Sequence, residues 1–183
     1  MCSSDLTMAG QLAEGLPAVR VRTDVERLRL RASGAACGEP YSVLETARVY
    51  ARVEADLAMA LDAGFDAIAD GAFLDHGHRA DMGHLAGRLG VGWVIASAEA
   101  PESVLRERIA ARRALGADVS EADLDVLARQ ITSAEPLDAD EQRRAVICGL
   151  DAAPRQILER VRVALSRESP AGPNGSAGCG SRV

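Results

Sequence analysis

Short apolar segments that alternate with helical segments constrain the fold of this chain most strongly. Strands are predicted at 18–22, 65–69, 91–96 and 145–148, as polar–apolar alternation or compact apolar runs. Helices are predicted at 42–63, 77–89, 101–115 and 154–166, and another opens at Ser120. Thr23 is predicted to cap a helical turn, with Glu26 as its capping-box partner. Because strands that alternate with helices pair in parallel, the pattern predicts an α/β fold with a parallel sheet.

Composition narrows the classes of protein that remain. Hydrophobic residues make up 48% of the 183 residues and charged residues 26%, which is typical of one folded domain. No apolar run approaches the roughly 20 residues that span a membrane. The net charge of -6 disfavours a nucleic-acid or anionic-membrane surface. All 21 basic residues are arginine, so chemistry that needs a lysine from this chain is excluded.

Cysteines and aromatic residues point to no special site. The four cysteines, Cys2, Cys37, Cys148 and Cys179, form no CxxC pair and have no histidine at zinc-ligand spacing. We therefore expect free thiols and a reducing cytoplasm. One Trp, two Tyr and two Phe are too few for a base-stacking platform.

Two carboxylates stand where a parallel α/β sheet binds its ligands, after the carboxyl ends of strands. Asp70 ends the second predicted strand, and Asp24 follows the first. Carboxylate oxygens suit Mg²⁺, although Asp70 could merely start a turn with Gly71. Asp24 and Arg27 could present a base and a cation to one substrate, or form a local i,i+3 ion pair.

Two further clusters carry charge or metal-binding side chains. The arginine cluster is suited to phosphate, or is the solvated face of a helix; its members are Arg106, Arg108, Arg112 and Arg113, with Arg129 as an outlier. The segment 75–78, with His84 beyond it, has no histidine pair at i,i+4 spacing. An exposed loop is therefore favoured over a zinc site there.

The order of these segments resembles small bacterial P-loop kinases. Residues 23–30 (TDVERLRL) resemble the segment after the second strand of that group, and 65–73 (FDAIADGAF) look like its third strand with the metal-side aspartate. Residues 100–113 and 118–130 look like its lid. Within the group, the chain is most similar to the ATP-binding domain, an AAA-family ATPase, that is fused behind an aminoglycoside-phosphotransferase-like domain. Polynucleotide kinase and chloramphenicol phosphotransferase are relatives.

The resemblance implies phosphoryl transfer from ATP, with Mg²⁺, to a hydroxyl of a small-molecule acceptor. Asp24 would orient or deprotonate the acceptor, Arg27 would hold it, and Asp70 would position Mg²⁺. The lid arginines that would stabilise the transferring group are Arg108, Arg112 and Arg113. Thr7 and Arg129 would contact the nucleotide. Positioning and charge neutralisation carry most of such a reaction.

The chain departs from this family at its beginning. Residues 7–16 look like the helix after the phosphate loop, whereas the family's first strand, Gly-rich loop and Lys-Ser have no counterpart here. The resemblance therefore predicts a three-layer parallel sheet without its central strand. Residues 1–6 match a translated sequencing adapter, so we expect them to be non-native. Residues 7–166 would form the kinase-like domain, and Gly-, Ser- and Pro-rich 167–183 a disordered tail.

Three interpretations follow. The first is a clipped kinase without its phosphate loop, which is inactive alone. The second is a non-catalytic, degenerate nucleotide-fold module that binds or regulates a partner. An unrelated α/β hydrolase is disfavoured, because the chain has neither a GxSxG elbow nor a Ser–His–Asp order.

Overall fold

The computed structural model describes residues 8–35, 38–115, 124–149 and 152–168. In those residues, the helices are α1 (Met8–Gly15), α2 (Thr23–Ala32), α3 (Val43–Asp62), α4 (His76–Leu89), α5 (Glu102–Leu115), α6 (Leu124–Ser133), α7 (Ala139–Arg144) and α8 (Pro154–Glu168). The strands are β1 (Val19–Arg22), β2 (Ala67–Asp70), β3 (Ile95–Ala98) and β4 (Ala145–Cys148). No helix in these ranges is both long and apolar enough to cross a membrane.

The strands pair in parallel, as two separate pairs. β1 lies beside β2, with Arg22 opposite Asp70, and β3 lies beside β4. The predicted α/β fold with parallel strands is thereby confirmed. Within the described ranges, neither β2 nor β3 has a strand on its second edge.

Helices cover both faces of β2. On one face, Val21 of β1 and two β2 alanines pack in a core with α3 and α4, whose centre is the fully buried pair Val49 and Val53. On the other face, Ile68 belongs to a second core that also contains Leu12 of α1 and residues of β3, β4 and α8. This second core spans the two strand pairs, so the arrangement has helices, strands and helices in three layers.

Two strands begin later than the sequence predicts, because the chain ahead of them is still bonded to a helix. Phe65 donates its backbone N–H to Ala60 at the end of α3, and Val91 donates to Ala86 at the end of α4. Gly90 ends α4 with φ of 67°, a left-handed conformation that suits glycine. Apolar runs that follow a helix thus overstate the length of the strand.

The capping prediction for α2 is wrong. Thr23 is the first helical residue, and Arg22 occupies the N-cap without a side-chain cap bond. Glu26 is buried and pairs with Arg29 instead of closing a capping box. A capping box does open α7, a helix that the sequence analysis did not predict, through Asp138 and Glu141.

Several further predictions concern residues at or beyond the ends of the described ranges. α8 extends through Glu168, which pairs with Arg144, so residues 167 and 168 are helical and do not belong to the predicted tail. The remainder of that tail, the start of a helix at Ser120, and residues 1–6 lie outside the described residues.

Candidate functional site

The carboxyl ends of β1 and β2 bring together the two carboxylates singled out from the sequence. Parallel register puts Arg22 beside Asp70, and α2 begins immediately after Arg22, so Asp24 lies in its first turn. Arg22 Nη2 is 2.7 Å from Asp24 Oδ2, and Arg22 Nε is 3.9 Å from Asp70 Oδ2. Arg22 therefore bridges the two carboxylates.

Both carboxylates are held by further bonds. Arg20 Nε donates to Asp70 Oδ2 over 2.9 Å, and the backbone N–H of Val25 donates to Asp24 Oδ1 over 2.8 Å. Arg20 and Arg22 share one face of β1 because side chains alternate along a strand. Their two positive charges face two negative ones at this partly buried edge.

Gly71 brings the β2 edge close to the start of α2. A Cβ atom at Gly71 would lie 2.5 Å from Thr23 Cγ2. The backbone after Asp70 therefore contacts the residue before Asp24 directly, which only a glycine permits without a shift.

Arg27 lies one turn further along α2, in a buried charge cluster. Its Nη1 donates to Glu45 Oε2, and the ring of Tyr41 covers its guanidinium at 4.4 Å. Arg31 Nε donates to Glu45 Oε1 over 2.7 Å, and the Tyr41 backbone N–H donates to Oε2 over 2.6 Å. Burial alone would raise the pKa of Glu45, but these hydrogen bonds outweigh it and lower the pKa below its usual value. The sequence alternative of an Asp24–Arg27 pair is wrong, since each side chain has another partner.

Aromatic side chains line the next part of the same edge. Tyr50 stacks on His78 with a centroid distance of 3.9 Å and meets Phe73 edge-on at 5.0 Å. Its hydroxyl accepts the backbone N–H of Phe73 over 3.2 Å. Burial raises the pKa of Tyr50, although Phe73 and the nearby Arg27 charge oppose the shift. Phe73 and Tyr41 both have positive φ, 45° and 61°, which is uncommon for such side chains.

The arginines predicted for the lid are not assembled with this edge by any described bond. Arg129 is exposed on α6 and makes no hydrogen bond or ion pair with Asp24 or Asp70. The backbones of Arg108, Arg112 and Arg113 belong to α5, whereas their side chains lie outside the described residues, as does Thr7. Their predicted roles stay predictions.

Sequence reasoning missed three contributors to the site: Arg22, Glu45 and Tyr41. The Val-Arg-Val-Arg alternation at 19–22 indicated that two arginines share a face of the strand. The strand register, which places Arg22 opposite Asp70, would have been needed to identify Arg22 as a partner of that carboxylate. Glu45 comes from a helix 18 residues after Arg27, and no local spacing signals such a contact.

The donor set fits Mg²⁺ in part and does not fit ATP phosphates. Two carboxylates are hard oxygen ligands, but arginine partners already neutralise both. A phosphate cradle would need a Gly-rich loop and a lysine, and the chain has no lysine. The described residues therefore place two carboxylates at this edge without a nucleotide phosphate cradle.

Comparison with known proteins identifies the family. The model of the AAA domain family matches residues 7–137. Among solved structures, a sugar kinase from Janibacter sp. HTCC2649 has a TM-score of 0.61 at 17% identity, covering 90% of this chain and 88% of that one. A putative kinase from Chloroflexus aurantiacus j-10-fl has a TM-score of 0.63 at 20% identity, with 86% and 90% covered.

A gluconokinase from Sinorhizobium meliloti 1021 has a TM-score of 0.59 at 18% identity, with 90% and 89% covered. No curated protein matches the sequence. At these identities the structural likeness shows the fold, which is the α/β fold of P-loop kinases. The chain belongs to the AAA domain family and has a P-loop kinase-like fold.

Proposed function

We propose that this chain carries the acceptor side of a kinase that transfers a phosphoryl group from ATP to a hydroxyl of a small molecule. The observation that carries the proposal is the meeting of Asp24 and Asp70 around Arg22 at the carboxyl edge of β1 and β2. Ligands of parallel α/β sheets bind at this edge. The sugar kinase and gluconokinase of similar fold favour a polyhydroxylated acceptor.

Each site residue has a separate role in this proposal. Asp24 accepts the proton of the attacking hydroxyl as that oxygen bonds to the γ-phosphorus and the bond from phosphorus to ADP breaks. Asp70 would supply an oxygen ligand for Mg²⁺, and Arg27 would hold the acceptor. The ion pairs of Arg20 and Arg22 would then exchange their carboxylate partners for phosphate oxygens. The remaining assignments are the lid arginines Arg108, Arg112 and Arg113, and the nucleotide contacts Thr7 and Arg129.

The same proposal holds that this chain alone does not turn over ATP. It has no lysine, and β2 and β3 each lack a partner on one edge within the described residues. We propose that a further strand and a Gly-rich loop complete the site, encoded upstream together with an aminoglycoside-phosphotransferase-like domain. Residues 1–6 would then be non-native, and a continuous native reading frame through them would contradict that part.

A non-catalytic module is the second candidate, and one observation favours it. Asp24 and Asp70 are already ion-paired with Arg22 and Arg20, which lowers their attraction for a metal ion. Such a chain would bind a partner rather than process a nucleotide.

The decisive experiment compares this chain with a version extended by a strand, a Gly-rich loop and Lys-Ser placed before α1. ADP production is followed with gluconate and other polyols as acceptors. We expect turnover only in the extended chain, reduced about 10²–10⁴-fold by Asp24→Asn. The matched control is Asp66→Asn, an exposed carboxylate that precedes β2. Micromolar binding of Mg·ATP by the unextended chain would contradict the proposal, and an inactive extended chain would favour the non-catalytic module.

A further inference from the structure

Three side chains from distant parts of the chain converge where α4 and α7 begin. His76 opens α4, Asp138 is the N-cap of α7, and Glu141 lies in the first turn of α7. Their ligand atoms all lie within 4.8 Å of one another. Tertiary structure alone brings them together, because more than sixty residues separate His76 from the two carboxylates.

The distances from His76 to the two carboxylates are closer to the separation of two ligands on one metal ion than to the length of a hydrogen bond. His76 Nδ1 is 3.3 Å from Glu141 Oε1 and 3.6 Å from Asp138 Oδ2. An N–H···O bond is usually about 2.9–3.0 Å long. Two ligands of a tetrahedral zinc ion with bonds of about 2.0–2.1 Å are about 3.3 Å apart. Both distances from the imidazole nitrogen are therefore close to the separation of two ligands on one zinc ion.

Other bonds hold both carboxylates in place. Asp138 Oδ1 accepts the backbone N–H groups of Asp140 and Glu141, both over 2.8 Å, and this turns Oδ2 towards His76. Glu141 is buried and accepts from Arg79 Nε at Oε1 over 2.8 Å and from the Asp138 backbone N–H at Oε2 over 2.9 Å. Partners behind the ligands orient metal sites in this way, so little conformational entropy remains to be lost on binding.

The local charge favours a divalent cation, and the ligand set selects its class. Arg79 offsets one of the two carboxylates, and Glu135, which accepts the His76 backbone N–H over 2.6 Å, adds a third negative charge nearby. One imidazole nitrogen with carboxylate oxygens suits Zn²⁺ and its first-row neighbours rather than Mg²⁺ or Ca²⁺. Half of the His76 side chain is exposed, which gives an ion a way in and leaves a water position.

We propose that His76, Asp138 and Glu141 form a binding site for a zinc-like divalent cation, although the histidine spacing had favoured an exposed loop: the segment begins α4, and the other two ligands come from the start of α7. The ion would join the start of α4 to α7, and so fix the segment 134–138 that follows α6. This site needs no nucleotide, so it stands apart from the proposed phosphoryl transfer.

The test is a calorimetric Zn²⁺ titration of the full chain and three variants. His76→Ala removes the imidazole, and Asp138→Asn removes a carboxylate while keeping a good helix cap. His84→Ala is the matched control, an exposed histidine on the same helix. We expect one zinc per chain in the wild type and in His84→Ala, with affinity lowered about tenfold or more in the other two variants.

Two further measurements test whether misfolding or cysteine ligation accounts for the result. Circular dichroism confirms that each variant is folded. Bound Co²⁺ should lack the sulfur-to-cobalt charge-transfer band that cysteine ligation would give. Equal zinc affinity in the wild type and His76→Ala, or a cobalt spectrum showing thiolate ligation that persists in His76→Ala, would overturn the proposal.

Discussion

Glu45 is the residue on which the Arg27 side of the candidate site depends. It is 1% exposed, and its two carboxylate oxygens accept from Arg27, Arg31 and the Tyr41 backbone. A buried charge is tolerated only where such partners surround it. This carboxylate, on α3, therefore fixes the position of Arg27 on α2.

Glu45→Gln should lower the free energy of unfolding by about 3 kcal/mol, because it removes the buried negative charge that pairs with the buried Arg27 guanidinium. Urea unfolding monitored by circular dichroism measures the change. The control is Glu54→Gln, which removes a partner from the exposed Arg88 pair and should cost about 1 kcal/mol or less. Equal losses in the two variants would show that burial of Glu45 contributes nothing.

The lowered pKa values of Glu45 and Glu141 predict that the stability of the fold decreases in acid. For Glu141, the hydrogen bond from Arg79 lowers the pKa and outweighs burial; the pKa of Glu45 is also lowered. Because both folded-state pKa values lie below the ordinary value of a glutamate, the stability from these groups is complete above that ordinary pKa and is lost as pH falls through the folded-state values. Urea midpoints should therefore fall steadily below about pH 4.5, less steeply in Glu45→Gln than in the wild type. A slope unchanged by this substitution would contradict the prediction.

Gly71 offers a sharp test of the close approach between β2 and α2. Gly71→Ala places a methyl group 2.5 Å from Thr23 Cγ2 and should destabilise the fold by about 1–3 kcal/mol through overpacking. Gly87→Ala is the matched control, since that glycine lies in α4 with open space around it. Gly87→Ala should raise the free energy of unfolding by up to about 1 kcal/mol. Thermal unfolding midpoints that move in the same direction would contradict the assigned contact.

At the scale of elements, Arg79 joins the start of α4 to the segment between α6 and α7. Its guanidinium donates to the backbone carbonyls of Phe73, Leu74, Glu135 and Pro136 and to both oxygens of Glu141. At this buried position, only a planar group with several N–H donors can bond to all of these acceptors. One side chain thus holds the segment between α6 and α7 against the start of α4.

Arg79→Lys should cost about 2–4 kcal/mol, because an ammonium group cannot reach so many acceptors and leaves Glu141 partly unpaired. The free energy of unfolding from urea titration is the measurement. Arg88→Lys, on the exposed face of the same helix, should change it by less than about 0.5 kcal/mol. A similar small effect at both positions would mean that the hydrogen bonds of Arg79 do not stabilise the fold.

Element type was more predictable from the sequence than the contacts between elements. Periodicity and caps located α3 within one residue at each end, since Ser42 caps it and Gly64 follows its last turn. The six-residue α7 was missed because it is too short and too charged to show an apolar stripe. The proximity of Asp24 and Asp70 was predictable from their places after strands, whereas Arg79 and Glu141, 62 residues apart, meet through tertiary structure alone.

At the scale of the whole molecule, the second core makes the two strand pairs interdependent. Ile68 of β2 and Ala96 of β3 both pack around Leu12 and the α8 residues of that core, although no described strand joins β2 to β3. Parallel strands are normally buried within larger sheets, and a two-stranded sheet alone is marginal. Weak backbone hydrogen bonding is therefore expected at the unpartnered edges of β2 and β3.

Amide hydrogen exchange should show the weak hydrogen bonding at these strand edges, and its strengthening when a further strand is added. In the chain alone, β2 and β3 should exchange faster than the buried centre of α3 around Val49 and Val53. Extension by an apolar strand and Gly-rich loop before α1 should slow exchange in Ala67–Asp70 and Ile95–Ala98, because a parallel strand between them accepts from and donates to both edges. An extension of equal length in which the strand residues are replaced by Gly and Ser is the control. Equal protection with both extensions would mean that the space between the strand pairs does not accept a strand, and the proposed completion of the site would fail with it.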